Sequence, residues 1–354
     1  MMMCFQRFRG WAGQSMILLA WLLAAAGASA QVAPEDETEA AREALQQRET
    51  DVTEESNLEE VFQASERQYS LLAAGRLAVN FSGDYSYYRN DTIDIGIDES
   101  SGSLNRYRIE NDAEHAFGAS LSVDYGLRNN LTFNTRLPVQ YKYDTNKDTQ
   151  SVALGDVSFG LRYQPFPVRP GGVNTTLYTT LSTATGDSPY DINVLNELSS
   201  GKGYYSLGGG VSMSKIVDPV VLFGSIGYTK AFNATGLRQR RGTGTLRRVE
   251  PGDSISFSMG LAYALSYEVS VSASYQQSYN FASRFHFDSN QHGGRYVAES
   301  SDSTSSILNT SLGLRTSSNR IINISFGFGL TEDSPDVLLG ISLPIDVTGL
   351  KPGA

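Results

Sequence analysis

From residue 77 to residue 345 the sequence alternates with a period of two, and the contrast between its two faces limits the fold more than any other feature. In one run Ile255, Phe257, Met259, Leu261, Tyr263 and Leu265 share a face, and Ser254, Ser256, Ser258, Gly260, Ala262 and Ala264 share the other. In the next, Val269, Val271, Ala273, Tyr275, Tyr279 and Phe281 oppose Ser270, Ser272, Ser274, Gln276, Ser278 and Asn280. A soluble sandwich also alternates, but its strands are shorter and its wet face is rich in charge. Here the runs are long and the polar face is small and mostly uncharged. Lipid satisfies no backbone N–H or C=O, so strands of about ten residues with an apolar outer face must close on themselves. The runs count to twelve. The expected fold is all-β: a twelve-stranded antiparallel transmembrane β-barrel over 76–346, preceded by a short helical periplasmic segment and followed by a tail, 347–354.

The connections sort by length. Those after odd-numbered strands are long (89–112, 144–153, 185–204, 233–253, 282–302) and those after even-numbered strands are mostly short, as at Leu127-Arg128-Asn129. Outer-membrane barrels have long outer loops and short periplasmic turns, which places this chain in a Gram-negative outer membrane with the N-terminal segment and the C-terminus periplasmic. Outer-membrane lipid and lipopolysaccharide are then its surroundings. Tyr85, Tyr87, Tyr88, Tyr141, Tyr143, Tyr279 and Phe281 cluster at strand ends as an interfacial girdle. Pro138 lacks the N–H for a ladder bond, so a bulge or bend is expected there.

Residues 1–30 read as a signal peptide: Arg7 and Arg9, an apolar run from Met16 to Ala26, then Ala28-Ser29-Ala30. The chain's one cysteine, Cys4, and both tryptophans lie in it. The segment 31–75 holds 12 Asp and Glu against 3 Arg, and so carries most of the acidity of a chain whose net charge is −10. Within it Ser56-Asn57-Leu58-Glu59 forms a capping box, and Leu58, Val61, Phe62, Tyr69 and Leu72 trace one helical face that Gly75 would end. The segment is either a partly disordered acidic leader or a plug or oligomerisation helix at the barrel mouth.

The acidic balance argues against nucleic acid, and one cysteine excludes a disulfide scaffold or a cysteine-based metal site. No P-loop, HExxH or CxxC is present, and no catalytic residue, metal or cofactor is assigned. His115 and Ser120 fall on opposite faces of a strand, while His286 and His292 fall in an outer loop beside Asp288. By strand parity Asp84, Asp124, Arg136, Lys142, Asp156, Arg162 and Arg315 face the lumen, where they either set up a transverse field or pair and stiffen the wall. Arg238, Arg240, Arg241, Arg247 and Arg248 form an outer-loop basic patch, read as a solvated surface or an attractor for anionic cargo. Twelve strands give a backbone diameter of roughly 24 Å and, with side chains, a bore of roughly 12 Å.

Two stretches, Leu154-Gly155-Asp156-Val157-Ser158-Phe159-Gly160-Leu161-Arg162-Tyr163 and Thr185-Gly186-Asp187-Ser188-Pro189-Tyr190 continuing through Gly201-Lys202-Gly203-Tyr204-Tyr205-Ser206-Leu207, resemble outer-membrane transporters of the MetA-pathway phenol-degradation family. The leader, Leu58-Glu59-Glu60-Val61-Phe62 through Tyr69-Ser70-Leu71-Leu72, resembles the functional-amyloid (Fap) export channel of that superfamily. This resemblance implies a homotrimer, a helical plug, and secretion of an unfolded polypeptide. The chain departs from the family in a short coiled-coil region and in lacking a terminal aromatic after Ile345, so the barrel-assembly machinery would have to use an internal strand end. Polypeptide export gated by the N-terminal helix, uptake of small aromatic or hydrophobic compounds, and a barrel enzyme or adhesin are the readings carried forward.

Overall fold

The computed structural model describes residues 71–97, 104–145, 149–167, 169, 171–192, 197–241, 244–289, 294–317 and 320–345. Residues 1–30, expected to be a signal peptide, most of the acidic segment and the expected tail 347–354 lie outside these residues. Seventeen strands are described, all antiparallel to their neighbours: β1 (Leu77–Ile97), β2 (Leu104–Arg128), β3 (Leu131–Asp144), β4 (Thr149–Leu154), β5 (Ser158–Tyr163), β6 (Val173–Ser182), β7 (Ser206–Val217), β8 (Val220–Ala231), β9 (Ala234–Arg241), β10 (Gly244–Glu250), β11 (Ser254–Ala264), β12 (Val269–Asn280), β13 (Arg284–Ser289), β14 (Arg295–Glu299), β15 (Ser303–Ser317), β16 (Arg320–Gly329) and β17 (Val337–Ile345).

Each barrel strand pairs with the next, and β1 pairs with β17, so the sheet closes. β4 and β5 are two halves of one barrel strand beside β3, which makes twelve staves. The break answers the expectation at Pro138. β3 runs through Pro138 without losing register against β2, where Pro138 faces Ser120. Its other neighbour takes up the irregularity: Leu154 faces Val139 and Ser158 faces Arg136, so three residues oppose two. That is a bulge, displaced onto the strand that would have accepted the missing N–H.

The faces follow the alternation. Phe81, Phe117, Ile226, Leu261, Phe326 and Ile341 point outward and stay exposed, as a lipid-facing wall requires. The inner wall is built of small hydroxyl side chains that join neighbouring strands in register: Ser82 to Ser120 at 3.0 Å, Ser225 to Ser258 at 2.7 Å, and Ser272 to Ser311 at 2.6 Å. An apolar patch of Val221, Phe223 and Ala262 interrupts it on β8 and β11. Gly210 and Gly227 sit in register with Tyr178, and a Cβ at either would fall within 2.5 Å of the Tyr178 hydroxyl. The glycines of the 208–210 run therefore make room, at Gly210, for a ring lying flat on the inner wall.

Four of the expected long loops are corrected. β1 extends to Ile97 and β2 begins at Leu104, both within 89–112, β4 falls within 144–153, β9 and β10 within 233–253, and β13 and β14 within 282–302. The last four form a separate sheet in the order β14-β13-β10-β9.

Candidate functional site

The lumen is narrowed by the connection between β6 and β7. Asp156, at the bulge, accepts the Gly186 N–H on Oδ1 (3.0 Å) and the Lys202 N–H on Oδ2 (2.7 Å). Around it the Val157 N–H donates to Thr185 Oγ1 (2.8 Å), the Asp187 N–H to Ser200 Oγ (2.8 Å), and the Ser200 hydroxyl to the Leu154 carbonyl (2.7 Å). Gly186 and Gly201 meet backbone to backbone, where a Cβ on Gly186 would fall 2.7 Å from the Gly201 Cα. The two stretches that carry the family resemblance are thus one hydrogen-bonded knot. Ser200, Gly201 and Lys202 of this knot line a cavity of about 360 Å³ together with the inward residues Arg136, Gln140 and Lys142 of β3, so the connection folds into the barrel.

The second sheet covers that connection. Its apolar face, Leu237, Leu246 and Val249 with Phe285 and Phe287, packs on Tyr190. Gln239 Nε2 donates to the carbonyls of Pro189 (2.9 Å) and Ile192 (2.6 Å), and Arg241 Nη2 to that of Pro189 (3.2 Å). Burial raises the Tyr190 phenol from 10.0 to about 12. The folded state therefore favours the neutral phenol; this contribution is complete below pH 10 and is lost as the pH climbs from 10 through 12. Open-channel current noise is expected to grow across that window as the connection loosens. In Tyr190→Phe it should stay flat.

The residues singled out in the sequence divide into those the structure describes and those outside it. Of the lumen charges, Asp124 and Arg162 form a buried ion pair, and Lys142 lies 3.4 Å from Glu114. Asp156 holds the knot. Arg315 stacks over Tyr267 at 4.7 Å. Arg136 Nε donates to Ser120 Oγ (3.1 Å), and Arg136 and Asp84 line a further lumen cavity of about 290 Å³. Pairing thus accounts for part of the set and open charge for the rest. The basic patch is on strands rather than in a loop. Arg241 is turned under the sheet, Arg247 pairs with Asp288 (2.8 Å), and Arg248 pairs with Glu250 (2.8 Å). Arg238 and Arg240 alternate with the buried Leu237 and Gln239, on the exposed face of β9.

His115 Nδ1 bonds the Tyr85 hydroxyl (2.9 Å) on the outer face, while Ser120 is on the inner face. His286 and Asp288 belong to β13 rather than a loop, and His286 lies 3.2 Å from Glu250. His292 is outside the described residues, as are Leu58, Val61, Phe62 and Tyr69. Leu72 is described and is not helical. Its N–H donates to Thr132 Oγ1 (2.9 Å), the Ala74 N–H to Asn129 Oδ1 (3.0 Å), and the Gly75 N–H to the Gly126 carbonyl (2.7 Å). Thr132 and Gly126 face each other on the inner wall, so the chain enters β1 from inside the short-turn mouth. A turn at Gly75, with φ +75°, swings it into the first strand.

No protein-family model matches the chain. Among solved structures it is similar to the COG4313 outer membrane channel from Pseudomonas putida F1, with 12% identity and a TM-score of 0.55 over 78% of this chain and 97% of that one. The fold is that of an outer-membrane β-barrel. The translocator domain of the autotransporter NalP from Neisseria meningitidis also matches, with 9% identity and a TM-score of 0.47 over 87% of this chain and 97% of that domain. Lys202, Tyr190 and Gln239 were not singled out in the sequence as site residues; Lys202 and Tyr190 stand within the resembling stretches, and Gln239 gave no signal of its own.

Proposed function

We propose that this chain is exported by its signal peptide to the outer membrane and there serves as a channel for small solutes, with its short-turn end in the periplasm. The observation that carries the reading is the inward-folded β6–β7 connection, held to the wall by Asp156, in a lumen whose wall carries cavities of about 200, 290 and 360 Å³. Spaces of that size suit one small molecule each. An unfolded polypeptide needs a wide continuous bore, and the inward-folded knot takes up part of it. The export reading keeps one observation in its favour, the approach of residues 72–75 to β1 along the inner wall.

Proteoliposomes holding residues 31–354 decide between them. A monosaccharide and a one-ring aromatic acid are expected to cross, and an unfolded reporter polypeptide to be excluded. Passage of the polypeptide would overturn the small-solute reading.

A further inference from the structure

We propose that the cavity between β3 and the Asp156 knot binds the carboxylate of a small organic anion, with Arg136 and Lys202 as its principal ligands and Lys142 as an auxiliary one. The proposal rests on the small-solute reading and names its substrate class. All three cations line the same space of about 360 Å³, and the carboxylate lining it with them is Asp156. Both Asp156 oxygens already accept backbone N–H groups, one of them from Lys202 itself. That bond fixes the Lys202 backbone at the cavity wall.

Arg136 is oriented by its Nε bond to Ser120 Oγ at 3.1 Å, and its terminal nitrogens have no protein partner among the described residues. A guanidinium held by one edge presents a planar fork suited to a carboxylate. Glu114 offsets Lys142 at 3.4 Å, and Asp84 shares the neighbouring cavity with Arg136; both carboxylates lie outside the lining of this one. Ser158, Ser182 and Gln140 add neutral donors to the wall. Cationic and neutral donors around a space with one amide-bound acid favour an anion over a neutral solute of the same shape.

The test uses residues 31–354 in planar bilayers, with benzoate and the neutral, similarly sized benzyl alcohol as probes. Benzoate is expected to block the potassium chloride current at concentrations where benzyl alcohol does not. R136Q/K202Q should weaken the block at least tenfold, and K202Q alone by a smaller factor. Equal effects of the two probes, an unchanged block in both variants, or equal competition by inorganic phosphate would overturn the site. Equilibrium binding of benzoate to the purified, detergent-solubilised chain reads the site without conduction. A chain that binds benzoate yet passes no current would count against the channel and for the site; one that conducts without binding benzoate would do the reverse.

Discussion

Gly126→Val is expected to raise single-channel conductance several-fold, to the level reached by deleting residues 31–74. A Cβ at Gly126 would stand 2.1 Å from the Ala73 carbonyl oxygen and 2.8 Å from that of Leu72, both backbone atoms with no room to give. The barrel strand is fixed on both edges by its ladders with β1 and β3, whereas the incoming segment is held by a few bonds at Thr132, Asn129 and Gly126. The segment is the partner that yields. Once it leaves the inner wall, the short-turn mouth is open as far as the inward-folded β6–β7 connection, and the current is set there. The point variant keeps the acidic residues in place, so it separates an effect of position from an effect of charge. Unchanged conductance in both proteins would rule out any restriction of the mouth by the N-terminal segment.

Breaking the pair between Asp124 and Arg162 is expected to cost the barrel about 3–5 kcal/mol in Asp124→Ala, the range for stranding one member of a buried ion pair. The two side chains are only 8% and 10% exposed, and they meet across β3 from the staves on either side of it. Without the carboxylate, the guanidinium keeps its desolvation and loses its counter-charge. Removing both charges in Asp124→Leu/Arg162→Met should recover most of the loss, because this site then buries no ion. Both tryptophans precede residue 31, so urea unfolding of 31–354 is best followed by tyrosine fluorescence or by gel mobility before and after heating. A double variant as unstable as the single one would show that hydrogen bonding, rather than stranded charge, sets the cost.

The barrel was legible because lipid imposes a rule on every stave, and twelve runs obeyed it. Register parity likewise placed Asp84, Asp124, Arg136 and Asp156 on the lumen side. What parity could not supply was partnership. Asp156 is clamped by the Gly186 and Lys202 amides, far along the chain, and nothing local marks either as its donor. The Pro138 disturbance was expected at the proline and fell on β4 and β5, since a missing donor is felt by the strand that would have received it. The second sheet was hidden for another reason. Its strands alternate, as Phe285 and Phe287 do against His286 and Asp288, but Gln239 and Arg241 stand on the packed face, and five arginines in a short stretch read as solvated loop. The leader's helical spacing also misled at its end: Leu72 fits the face by sequence, but its N–H is taken by Thr132 across the mouth.

The covering sheet also ties distant parts of the chain. Its central pair, β10 with β13, joins segments that flank the whole β11–β12 hairpin, so Leu246 and Phe287 meet across an insertion that itself belongs to the wall. The roof over the knot is thus an outgrowth of two neighbouring staves, and a change in the seating of β11 and β12 is carried directly to the connection that narrows the lumen.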